Sequence, residues 1–300
     1  MRVFVLGSGS SGNALLVESC GTRVLVDAGI GPKVLASRLA ELGVELHAGA
    51  LDGIVTTHHH GDHFGHADKI ATTFAAPLYL HHGIASPAGG RRGRRADLDL
   101  VDVAPESKIQ NSELLDGSTL ASAVTTDGGP PIDVRRYDIG RALRIGELTI
   151  TTVQVPHDAA QVAIRVDDGD SALGVATDVG RVTPGLVALL AECDAAVVEA
   201  NHCSEMLAFS EYPEVVKRRV SGGFGHLSND QTAELAARLV GSRMARLWLG
   251  HLSRSNNTPA RALEAVASRA RRIDVDVLSE TAPVALDVRS VKPYQLGLPF

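Results

Sequence analysis

The residues of this chain best suited to chemistry stand in one short run, Thr57-His58-His59-His60-Gly61-Asp62-His63. The run has the form His-x-His-x-Asp-His and follows an apolar stretch, Gly53–Thr57, that reads as a strand. Side chains alternate along an extended chain, so His58 and His60 point one way and His59 the other. Gly61 lets the chain turn, which brings Asp62 and His63 back toward the same point. Two pairs of ligands then serve two adjacent metal ions. Imidazole and carboxylate suit zinc, and also manganese or iron. The plainer alternative is a polar loop or a chance run of histidines.

Three later residues extend the set. His157 stands in Val155-Pro156-His157-Asp158, Asp178 in Ala176-Thr177-Asp178-Val179-Gly180, and His251 in Leu249-Gly250-His251-Leu252-Ser253. Each lies just past an expected strand, where loops gather at one rim of a sheet. Any one alone reads as structural. Taken with His58, His60, Asp62 and His63, they point to a metal centre. Two divalent ions with Asp62, Asp178 and a hydroxide keep a net positive charge. That charge favours an anionic substrate such as a phosphodiester and polarises its phosphoryl oxygen.

The elements that must position these residues are strands interspersed with helices. Strands are expected at Arg2–Leu6, Ala14–Glu18, Arg23–Asp27, Leu148–Val155, Gln161–Val166, Ala172–Thr177, Ala195–Glu199 and Ala245–Leu249, with closing strands at Asp274–Leu278 and Val284–Leu286. Helical spacing marks Pro32–Leu42, about Gly65–Phe74, Pro184–Ala191, Pro213–Val220, Asp230–Val240 and Pro259–Arg272. The order predicts an α/β protein with a layered sheet core covered by helices. Residues 1–300 read as a single domain, with an irregular insertion at about 83–146 holding two short strands. Within it, Arg91, Arg92, Arg94 and Arg95 read as a solvated loop or as a grip on a nucleic-acid backbone.

Gly7-Ser8-Gly9-Ser10-Ser11-Gly12 matches the dinucleotide-binding pattern but lacks its context. Only Asn13 to Cys20 separate Gly12 from Gly21, too few for a helical crossover. The loop therefore joins adjacent strands, with backbone N–H groups free to line an anion site.

Composition sets the outer bounds. The chain has 300 residues, 44% hydrophobic and 21% charged, with a formal net charge of −6. This balance excludes general disorder and a wholly basic nucleic-acid binder. No apolar run reaches the roughly 18 residues of a membrane span, and the opening Met-Arg-Val-Phe-Val-Leu-Gly is no secretory signal. Cys20, Cys193 and Cys203 form no CxxC pair, which fits a reducing cytoplasm and leaves metal binding to histidine and carboxylate.

With these residues in place, the sequence resembles the metallo-β-lactamase fold superfamily, whose series HxHxDH, His, Asp, His is matched by His58, His60, Asp62, His63, His157, Asp178 and His251. The resemblance implies an αββα sandwich of two mixed sheets flanked by helices. It implies that His58, His60 and His157 hold one ion, that Asp62, His63 and His251 hold the other, and that Asp178 bridges them. Asp27, in Val26-Asp27-Ala28-Gly29, matches the family's strand-end aspartate and is expected to support a ligand.

A closer likeness is to the YycJ/WalJ-type branch of 5′–3′ DNA exonucleases. It rests on Ser8-Gly9-Ser10-Ser11-Gly12-Asn13, Glu199-Ala200-Asn201-His202, Tyr212-Pro213, Gly225-His226-Leu227-Ser228-Asn229 and His251-Leu252-Ser253 with Asn256-Asn257. Ser10, Asn13, Asn201, His202, Asn256 and Asn257 are thereby expected to support the ligands or bind substrate. Asn256 and Asn257 fit a turn and helix start equally well. The Gly225–His251 region also resembles tRNase Z. On that likeness His226 is the expected general acid, while Asp62 orients the attacking water; the plainer reading has His226 packing beside the next helix.

The leading expectation is a dinuclear metal-dependent phosphodiesterase acting on nucleic acid, DNA before RNA, through metal-activated hydroxide and with no membrane partner. The alternatives are hydrolysis of a small ester, such as a cyclic phosphodiester, thioester or lactam, and a non-catalytic metal- or nucleic-acid-binding module.

Overall fold

The computed structural model describes residues 1–84, 115–116, 121–124 and 131–290, with the backbone alone at 115–116 and 121–124. In chain order the elements begin with β1 (Arg2–Gly7), β2 (Ala14–Ser19), β3 (Thr22–Val26), α1 (Pro32–Glu41), β4 (Gly53–Val55), α2 (Gly61–Phe64), α3 (Ala67–Phe74) and β5 (Leu78–His81). Next come β6 (Leu115–Asp116), β7 (Ala121–Val124), β8 (Ile132–Tyr137), β9 (Leu143–Ile145), β10 (Leu148–Val155), β11 (Gln161–Asp167), β12 (Ala172–Ala176) and α4 (Pro184–Ala191). The chain continues through β13 (Ala195–Glu199), α5 (Ser204–Ala208), α6 (Glu214–Ser221), α7 (Asn229–Leu239), β14 (Arg246–Gly250), α8 (Pro259–Ala270), β15 (Asp274–Val277) and β16 (Val284–Asp287).

The strands build two 8-stranded sheets, one ordered β16-β1-β2-β3-β4-β5-β8-β7 and the other β15-β14-β13-β12-β11-β10-β9-β6. Both are mixed. In the first, β3, β4, β5 and β8 run parallel while β1 and β2 pair antiparallel. In the second, β12 to β15 run parallel and β9 to β12 antiparallel.

The period-2 pattern explains the layers. In β1, Val3 and Val5 face the second sheet, while Phe4 and Leu6 face α1 and α3. In β14, Trp248 lies between the sheets, and Leu247 and Leu249 face α4, α7 and α8. Central strands buried on both faces read as continuous apolar runs, as β1, β12 and β13 do. The helices start on recognisable signals: Pro32 opens α1, a Ser228–Gln231 capping box opens α7, and Thr258 with Pro259 opens α8. The result is the αββα sandwich expected above.

The loop at residues 8–13 joins β1 to its antiparallel neighbour β2, with no helix between. Part of the stretch expected to be irregular is ordinary sheet. β8 adds to β5 in parallel and β9 pairs with β10 in a tight hairpin. Arg91, Arg92, Arg94 and Arg95 lie outside the described residues. Among the described residues no helix is long and apolar enough to cross a membrane.

Candidate metal centre

The centre forms where the carboxyl ends of strands from both sheets meet. β3 ends before Asp27, β4 before the histidine run, β10 before His157, β12 before Asp178, β13 at Glu199 and β14 before His251. This is the edge at which α/β sheets generally place their sites. Asp27, Asp178 and His251 share an uncommon backbone, with φ of 62°, 56° and 54°. A left-handed residue other than glycine costs about 1–2 kcal/mol. The turns that impose it are tied down from several sides. The His251 N–H donates to Ser8 Oγ at 3.1 Å, and Asn201 Nδ2 donates to the His251 carbonyl at 3.0 Å. The Asp27 N–H donates to Val55 O at 2.9 Å, and the Val179 N–H donates to Glu199 Oε1 at 2.6 Å.

His58, His60, His63 and His157 each have one ring nitrogen engaged by the protein and the other turned to a common centre, while both ring nitrogens of His251 are buried without a hydrogen-bond partner. Thr57 Oγ1 is 3.1 Å from His58 Nδ1, and the buried His58 Nε2 has no hydrogen-bond partner. His63 Nδ1 donates to Asp27 Oδ2 at 2.7 Å, leaving Nε2 2.9 Å from Asp178 Oδ2. His157 Nδ1 donates to Gly225 O at 3.0 Å, leaving Nε2 3.4 Å from His60 Nδ1. Asp158 Oδ1 sits 3.4 Å from the opposite nitrogen of His60, and Arg219 holds Asp158 through Oδ2. Glu199 Oε2 lies 3.4 Å from His251 Nδ1, and His251 Nε2 has no hydrogen-bond partner.

Two triads of donor atoms result, His58–His60–His157 and Asp62–His63–His251, and two further groups run through Asp178, His58–His63–Asp178 and Asp178–His226–His251, with all atoms of each group within 4.8 Å of one another. Asp178 lies between the two triads. Its Oδ1 is 3.9 Å from His157 Nε2 and 3.7 Å from His251 Nε2, while its Oδ2 approaches His63. Buried, unpartnered imidazole nitrogens beside carboxylate oxygens are the donor set of a borderline-soft divalent cation. The residues therefore fit a pair of such ions. His59 is exposed and belongs to neither triad.

The charge states of the metal-free residues differ from one ligand to the next. Burial, with the charge of His63, lowers the His58 pKa well below its usual value, so its ring is neutral and ready to ligate. Burial alone would also lower His63 and His251. The Asp178 charge opposes it in both, raising His63 well above normal and His251 to about 10. Burial would raise Glu199, but the His226 hydrogen bond and the His251 ring beside it hold it down at about 2.

Glu199 is a site residue that the sequence did not single out. Fully buried at the end of β13, it accepts from the Val179 and Leu227 N–H groups through Oε1 and from His226 Nδ1 at 3.1 Å through Oε2. It stood in the sequence only as the first residue of the Glu199-Ala200-Asn201-His202 likeness, closing an apolar run, with no role assigned to it. Asp158 was likewise visible only as the neighbour of His157.

The remaining expected residues are placed as follows. Asn13 ties the glycine loop to the centre: its N–H donates to Asp62 O at 2.7 Å, and its Nδ2 lies 2.9 Å from His63 Nε2. Ser10 is exposed on that loop. His202 is buried, its Nδ1 has no hydrogen-bond partner, and burial lowers its pKa to about 4. Asn257 Nδ2 donates to Ala200 O at 2.7 Å and to Asn229 Oδ1 at 2.8 Å. Asn256 is buried, and its carbonyl accepts from the Cys203 N–H.

Gly29 shows how tightly the centre is packed, because a Cβ there would lie 1.8 Å from Asp62 O. Gly29→Ala is expected to push the Asp62–His63 turn outward and lower stability by roughly 1–3 kcal/mol. Chemical denaturation and a metal titration check this; parent-like values in both would refute it.

Two mixed sheets with helices outside and a histidine–aspartate centre at their shared edge define a metallohydrolase of the metallo-β-lactamase fold. The chain belongs to this superfamily: the family model described as Beta-lactamase superfamily domain matches residues 22–251. It is a metal-dependent hydrolase of that superfamily. It is 28% identical over 274 residues to Exodeoxyribonuclease WalJ of Streptococcus pneumoniae serotype 2, covering 91% of this chain and 89% of that protein. It is 28% identical over 255 residues to Exodeoxyribonuclease YycJ of Bacillus anthracis, covering 84% and 83%. The fold is shared with the Zn(2+)-bound PqqB crystal structure from Methylobacterium extorquens, with a TM-score of 0.65 and 15% identity over 96% of this chain and 100% of that one.

Proposed function

We propose that this chain is a dinuclear 5′–3′ exonuclease acting on DNA, with zinc at both positions or manganese or iron in its place. The observation that carries this reading is the pair of donor triads sharing Asp178 between them. His58, His60 and His157 would hold one ion, Asp62, His63 and His251 the other, and Asp178 would bridge. Bound there, the ions supply Lewis acidity to a phosphoryl oxygen and acidify water. The names of the two bacterial relatives support DNA as the polymer.

The chain's own residues do the rest. Asp62 is the most open of the acidic donors, with a side chain 26% exposed against 3% for Asp178, and it orients the attacking water. His226 is the proton donor. Its Nδ1 is engaged by Glu199, its side chain is 23% exposed, and its ring lies 5.3 Å from His157 and 5.5 Å from His251. Burial alone would lower its pKa, but the hydrogen bond to Glu199 and the charges of Glu199 and Asp178 raise it above the ordinary value. The raised pKa favours the protonated ring, the form that can give a proton to a leaving oxygen. Asn13, Asn201 and Asp27 brace the ligands; Ser10, His202, Asn256 and Asn257 line or support the surrounding loops. The free cysteines fit a cytoplasmic setting.

The direct test presents protein loaded with each metal in turn to end-labelled duplex DNA, single-stranded DNA, RNA and a chromogenic phosphodiester. Stepwise shortening of DNA from its 5′ end is the expected result. Cleavage confined to the small ester would overturn the reading in favour of a small-substrate hydrolase.

Metal uptake should also release protons. His251 carries a proton in the metal-free protein at pH 7, because its pKa of about 10 lies above it, and the pKa of His63 is raised in the same direction. A metal must displace that proton, so affinity rises with pH and levels off near the His251 value of about 10. Calorimetry at pH 7 in buffers of different ionisation enthalpy reads the release. A binding heat that is the same in every buffer would refute it.

A further inference from the structure

Aromatic side chains are scarce in this sequence, with Phe 6, Tyr 4 and Trp 1. Trp248, Tyr137 and Phe4 are fully buried, as a scarce core-forming resource should be. Three others are exposed on the single crossover between β13 and α7: Phe209 at 86%, Tyr212 at 36% and Phe224 at 39%. Val215, at 74%, lies on the same crossover, and no residue of α6 is buried. Among the described residues four of the seven exposed large apolar groups stand on this one segment, which also carries His226.

Phe224 is the member nearest the centre. It precedes His226 by two residues, and its backbone packs directly on the turn that carries Asp178. A Cβ at Gly180 would lie 2.3 Å from Gly223 O and 2.6 Å from Phe224 Cα. The next residue, Arg181, places its guanidinium carbon 5.8 Å from the Phe224 ring centroid. Arg181 is exposed, and among the described residues no carboxylate lies within ion-pair distance of it. A partly exposed aromatic ring with an unneutralised cation over it thus stands beside the turns that carry Asp178 and His226, next to a centre suited to phosphate. Neither group serves the core.

We propose that Phe224 and Arg181 form a nucleotide subsite, in which the ring stacks on a nucleobase of a single-stranded end and the guanidinium meets an adjacent phosphate. The subsite rests on the nucleic-acid reading above and names what that site grips. Stacking on an aromatic ring tolerates any base, because every base has a π-face. Arg181 adds a salt-dependent contact that reads no sequence. Together they hold a polymer end in register with the metal centre, whereas a small ester offers them nothing to bind.

The experiment uses metal-loaded parent, Phe224→Ala, Phe224→Trp and Arg181→Ala proteins. Substrates are end-labelled single-stranded DNA oligonucleotides, intact or abasic at one of the three terminal positions. The parent is expected to prefer the intact end over one of the abasic ends by about 5- to 100-fold in kcat/KM. Phe224→Ala should bring that ratio to about 1, and Phe224→Trp should restore it. Arg181→Ala should flatten the salt dependence by about one phosphate contact. A parent indifferent to every abasic position would overturn the subsite. So would a Phe224→Ala protein that is slower on all ends yet keeps the preference, since that marks a structural defect alone. A parent that cuts no DNA would overturn the nucleic-acid reading itself, which sets the two failures apart.

Discussion

Asp178→Asn is expected to lose bound metal and to lower kcat/KM on a phosphodiester by roughly a thousandfold. The substitution keeps the side chain's size and removes its charge. In the structure that charge lies beside donors of both triads: His63 through Oδ2, and His157 and His251 through Oδ1. No other carboxylate among the described residues has ion-pair contacts to donors of both triads. Lewis-acid stabilisation by bound ions amounts to several kcal/mol; taken as about 4 kcal/mol, at 1.36 kcal/mol per tenfold, its loss gives the stated factor. Metal analysis of the dialysed protein and steady-state kinetics check it together. Parent-like metal content with parent-like turnover would remove Asp178 from the centre.

His226→Ala should act differently. The expected loss is roughly 10²–10⁴-fold in kcat on DNA, with metal content retained, because His58–His60–His157 and Asp62–His63–His251 stay complete without this ring; loss of metal would instead make His226 a ligand beside Asp178 and His251. The decisive comparison is between leaving groups. A deoxyribose oxygen departs as a strong base and needs a proton, whereas a nitrophenolate departs without one. The loss on a chromogenic nitrophenyl diester should therefore shrink to less than about tenfold. An equal loss on both substrates would show that His226 only shapes the site. Glu199→Gln should move in the same direction, since Glu199 fixes the orientation of His226 and keeps its pKa raised.

The histidine and aspartate cluster was legible because each residue has a local sign. The histidine run follows a strand, and His157, Asp178 and His251 each come just after one. What could not be read is how the chain aims them. Nothing in the letters marks Asp27, Asp178 and His251 as left-handed, because that conformation is imposed by contacts to Ser8, Asn201 and Val55, distant in sequence. Glu199 escaped notice for a related reason: its partners Val179, Leu227 and His226 come from two other loops. In the fold, the long alternating strands and the proline-led helices stood out. β5 did not, since Leu78–His81 is short and follows a proline that reads as a break. β8 and β9 were hidden beside a stretch without periodicity, where pattern alone offers no boundary. At Asn257, a turn and a phosphate contact share one sequence signal; in the structure the amide is spent on Ala200 and Asn229.

The centre draws Asp27, His58, His60, Asp62 and His63 from loops of the first sheet, and His157, Asp178, Glu199, His226 and His251 from loops of the second. During synthesis the first group leaves the ribosome long before His251 is made. A stalled or prematurely terminated chain ending before that residue holds at most an incomplete set of donors. The candidate centre is therefore completed only late in synthesis, once the last strands of the second sheet are made.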